Sequence, residues 1–320
     1  MNTARKQGKL TLGPLVLSVV FLCAAPAMAQ KKFSRSRPPS FKPSDYEGVF
    51  FDDVGSMLRG QLPSRQATLG SSAVANNSSD KPAVAADAND PLAWPKLIEP
   101  ASLEDLIKGS KLRLDKVVTT PPAFIGGGYA VARREFSLLA ILFSIIEEYP
   151  GEIRWQESAA SARELLTQAA ASAKIGTLPV FNQAKNRLLD LGDLTRGTKL
   201  AHEAKTELVW EDLADRSLLM QLLEWAHEEQ LSDLVVDKET FSSNTDAIKR
   251  YAELVAALGK VNLIEGMPDA DDDDYRELGL AMIKAAGDIT VAVKTNDADA
   301  ARKAAGQIGQ SCSNCHDGYR

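Results

Sequence analysis

Residues 300–320 read AARKAAGQIGQSCSNCHDGYR, and this stretch places Cys312, Cys315 and His316 within five positions. The alanine-rich lead into the motif favours a helix, because alanine has the highest intrinsic helix propensity. In a helix, two residues three positions apart lie about one turn apart on the same face. The sequence therefore predicts a helix that presents two thiols and an imidazole together.

The C-x-x-C-H spacing is typical of covalent haem attachment. Two thiols one turn apart can add to the two vinyl groups of one haem, and the next histidine is then held beneath the iron as a proximal ligand. We therefore predict one covalent haem c per chain, bound by Cys312 and Cys315, with His316 as the metal ligand.

Three other interpretations of the motif are open. A zinc site would need further ligands, and besides His316 the histidines are His202 and His227, 25 positions apart rather than in a short finger spacing. A redox dithiol is typical of a helix start in a βαβ unit, whereas this pair falls at the end of a helical pattern. A chance match is the third. The features of the N-terminus favour haem, because c-type attachment occurs outside the cytoplasm.

The N-terminus has the three parts of a secretory signal peptide. Three basic residues precede an apolar run at 10–25, and Ala27-Met28-Ala29 resembles a small-residue cleavage site. We predict a signal peptide at 1–29, cleavage near Ala29 and a periplasmic location. Cleavage would remove Cys23 and leave the C-x-x-C pair as the remaining cysteines.

Two alternatives to cleavage are an uncleaved membrane anchor and a lipid-modified Cys23. The apolar run is short and is interrupted by Pro14 and followed by Pro26, which counts against a spanning helix. A lipid-modified cysteine normally follows a small residue, and here Leu22 precedes it.

Composition points to a helical protein that does not bind nucleic acid. The formal net charge of −6 argues against a nucleic-acid partner, which calls for a basic face. Residues 30–90 are rich in Ser, Pro, Asn and Ala and are predicted to be a flexible linker, with a more apolar docking segment at 46–63. Residues 91–320 show helical periodicity almost throughout, so they are predicted to form one all-α domain.

Besides a helical segment that opens at Ser102, seven helices are expected in the main domain. The predicted ranges are about 129–148, 152–173, 179–191, 210–231, 244–261 and 271–293, followed by a terminal helix capped at 296–297. The stretch FSLLAILFSII at 136–146 is apolar on nearly every side, which predicts a centrally buried helix.

The terminal stretch resembles the last helix of the class II c-type cytochromes, the cytochrome c′ family. In that family the C-x-x-C-H lies near the C-terminus of a four-helix bundle, and an arginine is common four residues after the haem histidine, where this chain has Arg320. Ile308 and Gly309 fit the apolar and small positions before the motif. The resemblance covers about 275–320 and implies a four-helix-bundle core with additional helices.

Further correspondences follow only from this resemblance. ARREFSLLAIL at 132–142 looks like the family's first helix, which implies that Arg134 lies near a haem propionate and that Leu138 faces the iron. A slip of one residue would give Arg133 and Ser137 instead. Either 152–173 or 244–261 would be the second helix, with inserted helices at about 175–240.

The resemblance to the family does not identify a sixth iron ligand. Low-spin members use a methionine from the first helix, and none occurs between 129 and 148. We therefore expect a five-coordinate haem with an apolar distal side. The remaining candidates are better explained as core or surface residues; they are Met220, Met267, Met282, His202 and His227.

The predicted function is one-electron transfer with an unidentified periplasmic redox partner, and no catalytic constellation suggests an enzyme. A five-coordinate haem module that binds nitric oxide or carbon monoxide is the alternative. A third interpretation is that the inserted helices and the docking segment serve a protein partner. Family members are often dimers through their first two helices, so a homodimer is also an expectation.

Overall fold

A computed structural model describes residues 90–213 and 215–319, and most of these residues are helical. Those ranges contain helices and turns and no strand, so the all-α prediction is confirmed for them. The α-helices are α1 (Trp94–Leu97), α2 (Pro100–Val117), α3 (Pro121–Ala123), α4 (Tyr129–Glu148), α5 (Ala159–Ser172), α6 (Leu178–Thr195), α7 (Arg216–Glu224), α8 (Lys238–Ser243), α9 (Thr245–Val261), α10 (Asp273–Thr295) and α11 (Ala298–Gly318). The predicted signal peptide, the linker up to residue 89 and the docking segment lie outside the described residues.

Wider and tighter turns interrupt the α-helical pattern. One π segment, Phe124–Gly128, leads into α4, and another, Trp225–Leu231, continues α7 and is called the π turn below. Short 3-10 turns occur at Gln156–Ser158, Trp210–Asp212 and Ser232–Val235. The predicted helix at 152–173 begins later, at Ala159, because Gly151 and Trp155 adopt positive φ angles of 88° and 67°.

Aspartate caps begin the helices that matter most for the site. Asp215 accepts from the Leu218 N–H at 2.9 Å at the start of α7, and Asp272 caps α10 in the same way. Of the two predicted caps before the last helix, Asp297 accepts the Ala300 N–H at 2.9 Å. Asn296 instead closes α10 in the left-handed region, with φ 54°.

The first helix group consists of α2, α4, α5 and α6, which contact one another in a closed ring. As predicted, α4 is its centre: Phe136, Leu138 and Phe143 have no solvent-exposed surface. None of the helices in the described ranges combines the length and apolar character needed to cross a membrane.

The second helix group consists of α7 with the π turn, α9, α10 and α11, which also close on one another. This group contains the C-x-x-C-H helix, and it is the four-helix core expected from the sequence. The additional helices therefore mostly precede this core, as α2 to α6, rather than lying at 175–240. Of the two candidates for the core's second helix, α9 packs against α10, whereas α5 belongs to the first helix group.

The two helix groups meet at Trp225. The guanidinium of Arg113 lies 4.6 Å, and that of Arg134 5.4 Å, from the centroid of its ring. The buried carboxylate of Glu135 accepts from Arg113 at 2.9 Å and from the Ser110 hydroxyl at 2.6 Å. Stacked cations and a paired carboxylate thus join α2 and α4 to the π turn.

Candidate functional site

A cavity of about 700 Å³ opens between α7, α10 and α11, and we call it the cysteine cavity. Its volume falls in the range of about 300–1,000 Å³ that is usual for cofactor and small-molecule sites. The residues that line it are Met220, Leu223, Glu224, His227, Glu228, Asn262, Leu263, Tyr275, Leu278, Gly279, Met282, Gly309, Ser311, Cys312, Ser313, Cys315 and His316.

The structure brings Cys312, Cys315 and His316 to this one cavity, near the end of α11. The thiols are half-buried and are not joined in a disulfide, and His316 is exposed. Burial raises the pKa of the Cys312 thiol, as do the nearby Cys315 and Glu228. Burial also raises the pKa of Cys315, against the opposing effect of Arg216. Both thiols are therefore protonated at neutral pH.

The end of α11 is tied to the start of α10. The Tyr319 hydroxyl donates to Asp272 Oδ1 at 2.5 Å, and its ring packs edge-on against Tyr275 with centroids 5.1 Å apart. This hydrogen bond lowers the pKa of Asp272 and raises that of Tyr319 to about 12. The contact keeps the C-x-x-C-H turn beside α10. Arg320, the predicted family arginine, lies outside the described residues.

Helix α7 brings a methionine to the cavity that contains the motif. Arg216 donates to the Pro268 carbonyl at 2.7 Å, pairs with Asp269 and lies 5.6 Å from the Tyr275 ring centroid. Met220, four positions later, is half-buried and lines the cysteine cavity. This spacing of an arginine and a side chain that faces the cavity is the one that the sequence analysis assigned to Arg134 and Leu138.

Arg134 and Leu138 do not reach the cysteine cavity. Leu138 is fully buried inside the first helix group, and Arg134 lies against Trp225. The alternative residues, shifted by one position, do not reach the cavity either. Arg133 pairs with Asp215 at 2.9 Å, and Ser137 is buried in α4. The physical reason is that α4 packs on α2 and α5, while α7 occupies the place beside α10 and α11.

A signal for α7 was present in the sequence. Of the predicted helices, the fourth counted back from the C-terminus, at 210–231, contains the segment Arg216–Glu224, which follows a capping aspartate and has the arginine–methionine spacing. The strongly apolar α4 obscured it, because apolar character reports burial and does not report which helices are neighbours.

The other candidate ligands are engaged in packing or lie elsewhere. Met282 lines the cavity but is only 8% exposed, and its Cε lies 3.1 Å from the position that a Cβ on Gly259 would take. Met267 is buried outside the cavity, and His202, which does not line the cavity, contacts Glu164 at 3.1 Å. The α7 methionine is therefore the thioether with the most freedom to move.

The side chains of the cysteine cavity fit a covalently attached haem. Two thiols three positions apart, an adjacent imidazole and a thioether in the same cavity are groups that c-type haems use. Leucine, methionine and tyrosine side chains supply apolar walls. Among the described residues, no group of three or more His, Cys, Asp or Glu is arranged to hold a metal ion, so C-x-x-C-H finds no partners there for a zinc site.

Comparison with known proteins agrees with this chemistry. Residues 270–320, which span α10 and α11, match the family model described as Cytochrome C'. No curated protein and no solved structure matches the chain at a significant level. Residues 270–320 are thus similar to the cytochrome c′ family, the class II c-type cytochromes, and this similarity supports a haem-binding cytochrome of the c type.

Proposed function

We propose that this protein is an exported one-electron carrier with a single covalent haem c. Cys312 and Cys315 would hold the haem by thioethers, and His316 and Met220 would be its iron ligands. The observation that carries the proposal is that Met220 lies in the same cavity as the C-x-x-C-H motif. Bound haem supplies an iron centre that gains and loses one electron.

Methionine ligation favours electron transfer over gas binding. A methionine ligand beside the histidine would compete with carbon monoxide or nitric oxide for the iron, and Met/His ligation raises the reduction potential in cytochromes c. Met220 has three rotatable side-chain bonds and is half-buried, so its sulfur can adjust within the cavity. This replaces the expected ligand-free distal side at Leu138.

The chain's own residues prepare the attachment and orient the cofactor. Burial keeps both thiols protonated and thus protected from oxidation before attachment. The Tyr319–Asp272 hydrogen bond fixes the end of α11. Arg216 lies close enough to Cys315 to affect its pKa, and we assign to it the propionate contact that the resemblance gave to Arg134.

The location and partner follow from the N-terminus and the charge. The predicted signal peptide at 1–29 supports a periplasmic protein, and no nucleic-acid partner is expected of an acidic chain. The redox partner is a periplasmic one-electron donor or acceptor. That residues 46–63 act as a docking segment and that the protein forms a homodimer are predictions from the sequence.

The test is to make the mature chain with a c-type maturation system and to compare Met220→Leu with the matched variant Met282→Leu. Intact mass and a pyridine haemochrome should report one haem per chain. The ferrous wild type and Met282→Leu should show low-spin bands that resist carbon monoxide, whereas Met220→Leu should become high-spin and bind it. A high-spin wild type that binds carbon monoxide would support the gas-binding alternative. A mass equal to that of the polypeptide would remove the haem proposal.

A further inference from the structure

We propose that residues 268–275, which lead into α10, act as a clasp that keeps Met220 close to the C-x-x-C-H motif. Asp269 connects this clasp segment to α7, and Tyr319 connects it to the end of α11. Both side chains are positioning residues in this arrangement. The inference deepens the proposed function and rests on it, because it takes Met220 to be an iron ligand.

Helix α7 reaches the clasp segment through one side chain. Arg216, one turn before Met220, donates from Nη2 to the Pro268 carbonyl at 2.7 Å and pairs through the same nitrogen with Asp269. The remaining guanidinium donors stay available for the propionate contact proposed above. The backbone of α7 packs on α4 and α9, whereas the cysteine cavity lies between it and α11. Arg216 therefore links the methionine-bearing helix to the α10 side of the cavity.

The end of α11 is held by the same segment. The Tyr319 hydroxyl donates to Asp272 Oδ1 at 2.5 Å, and this oxygen also accepts the Tyr275 N–H at 2.9 Å. Tyr319 follows Cys315 by one helical turn, and its backbone N–H donates to the Cys315 carbonyl at 2.9 Å. A shift of Tyr319 would thus be passed on to the turn that contains the C-x-x-C-H motif.

The ring of Tyr275 lies between the two connections. The Arg216 guanidinium is 5.6 Å, and the Tyr319 ring centroid 5.1 Å, from the centroid of the Tyr275 ring. Tyr275 is buried and lines the cysteine cavity. Both connections therefore bear on one residue of the cavity wall, so that loosening either of them should be felt in the cavity.

The clasp segment is itself anchored to the core. Ala270 is buried, and Arg276 donates to the carbonyls of Leu263 at 3.2 Å and of Ala270 at 3.1 Å. Asp269 has a positive φ of 59°, in the left-handed region where aspartate and asparagine are enriched among non-glycine residues. The Asp272 N–H closes this turn by donating to the Asp269 carbonyl at 3.0 Å. A segment fixed in this way can hold both neighbouring helices in position.

The experiment measures carbon monoxide association with the full mature ferrous holoprotein by stopped flow, in Asp269→Asn and in Tyr319→Phe. Met220 competes with carbon monoxide for the iron in the proposed function, so a loosened Met220 should speed association. We expect each variant to accelerate it by about twofold to fivefold, the effect of losing a partly exposed charged contact. Asparagine tolerates the left-handed backbone at position 269, so the substitution removes the charge and keeps the turn.

Two matched controls test whether the effect is specific to the clasp. Asp271→Asn removes an exposed carboxylate from the same segment that forms no side-chain contact among the described residues. Tyr149→Phe removes a hydroxyl that donates to the Ile98 carbonyl at 3.0 Å, away from the cavity. Neither control should change the association rate, even where thermal unfolding shows a loss of stability. Rates in the two clasp variants that are no faster than in these controls would overturn the inference.

Proton NMR of the ferrous wild-type holoprotein provides a readout that does not depend on a variant's folding. Nuclear Overhauser contacts are expected between the rings of Tyr275 and Tyr319 and between Tyr275 and the Arg216 side chain, and their absence would also overturn the inference. A wild type that binds carbon monoxide as fast as Met220→Leu would instead contradict the proposed function, and the clasp would then have no ligand to position.

Discussion

Single buried carboxylates hold loops in place in this protein, and Glu164 on α5 is the clearest case. Its carboxylate accepts the backbone N–H of Lys205 at 2.7 Å and that of Thr206 at 3.0 Å, as well as the Thr206 hydroxyl at 3.1 Å. These hydrogen bonds, the Lys205 N–H above all, lower the pKa of Glu164 to about 2 against the opposing effect of burial. The loop between α6 and α7 is thereby pinned to the first helix group.

We expect Glu164→Gln to destabilise the fold by about 1–3 kcal/mol at pH 7, because the amide is a weaker acceptor for three donors. A carboxyl group with a depressed pKa stabilises the folded state above its unfolded pKa and loses that contribution as the pH falls through its folded pKa. The difference between wild type and variant should therefore shrink between about pH 4.5 and 2. Urea unfolding as a function of pH measures it.

Glu157 provides the matched control for this prediction. Its carboxylate pairs with Lys199, and both side chains are about three-quarters exposed. Exposed pairs contribute little because water screens them, so Glu157→Gln should leave the urea midpoint unchanged. Equal effects of the two substitutions would show that the loop contacts of Glu164 are not structural.

At the level of helices, α9 and α10 approach most closely at glycines. A Cβ on Gly259 would lie 2.8 Å from Ile283 Cγ1, which is tighter than real contacts allow, and one on Gly279 would lie 2.7 Å from Leu263. The close approach keeps α10, with Met282, Tyr275 and the acidic start of the helix, beside the cysteine cavity. Overpacking such a contact should push the helices apart.

We predict that Gly259→Ala destabilises the protein by about 1–3 kcal/mol, since Ile283 must move and the gain in helix propensity is smaller. Gly287→Ala, on α10, should stabilise it by about 0.5–1 kcal/mol, because nothing lies within 4 Å of the added methyl. Thermal unfolding of the two variants gives the comparison. Similar stabilisation in both would contradict the close packing of α9 on α10.

Sequence patterns located most helices but not every boundary. The apolar run at 136–146 marks α4, and the aspartate caps at 215, 272 and 297 mark the starts of α7, α10 and α11. Both signals are local in the sequence, so these helices could be recognised from it. The late start of α5 depends on left-handed turns at Gly151 and Trp155 that no periodicity reports. The π turn at His227 was also missed, because its wider backbone path gives no distinct residue pattern.

Charge is a property of the whole molecule that should govern how it exchanges electrons. The formal net charge is −6. Glu224 and Glu228 line the cysteine cavity. Asp269 pairs with Arg216, and Asp272 accepts the hydroxyl of Tyr319. Fields of this kind steer oppositely charged partners and are screened over about 10 Å at 0.1 M salt.

We therefore expect the ferrous holoprotein to react faster with a cationic oxidant, such as hexaammineruthenium(III), at low salt than at high salt. The rate with anionic ferricyanide should change in the opposite direction, because salt screens a repulsion there. Stopped-flow rates between about 10 and 500 mM sodium chloride measure both. Salt dependences of the same sign would exclude electrostatic steering by the acidic surface.

The sequence by itself determined the all-α class and the similarity of residues 270–320, with their C-x-x-C-H motif, to the cytochrome c′ family, because these depend on residues close together in the chain. Only the tertiary structure decided which distant residues meet that motif. It brings Met220 and His227 to the cavity and leaves Leu138 in another helix group. The physical reason is that helix periodicity specifies an apolar face but not the partner that covers it, which depends on packing across the whole domain.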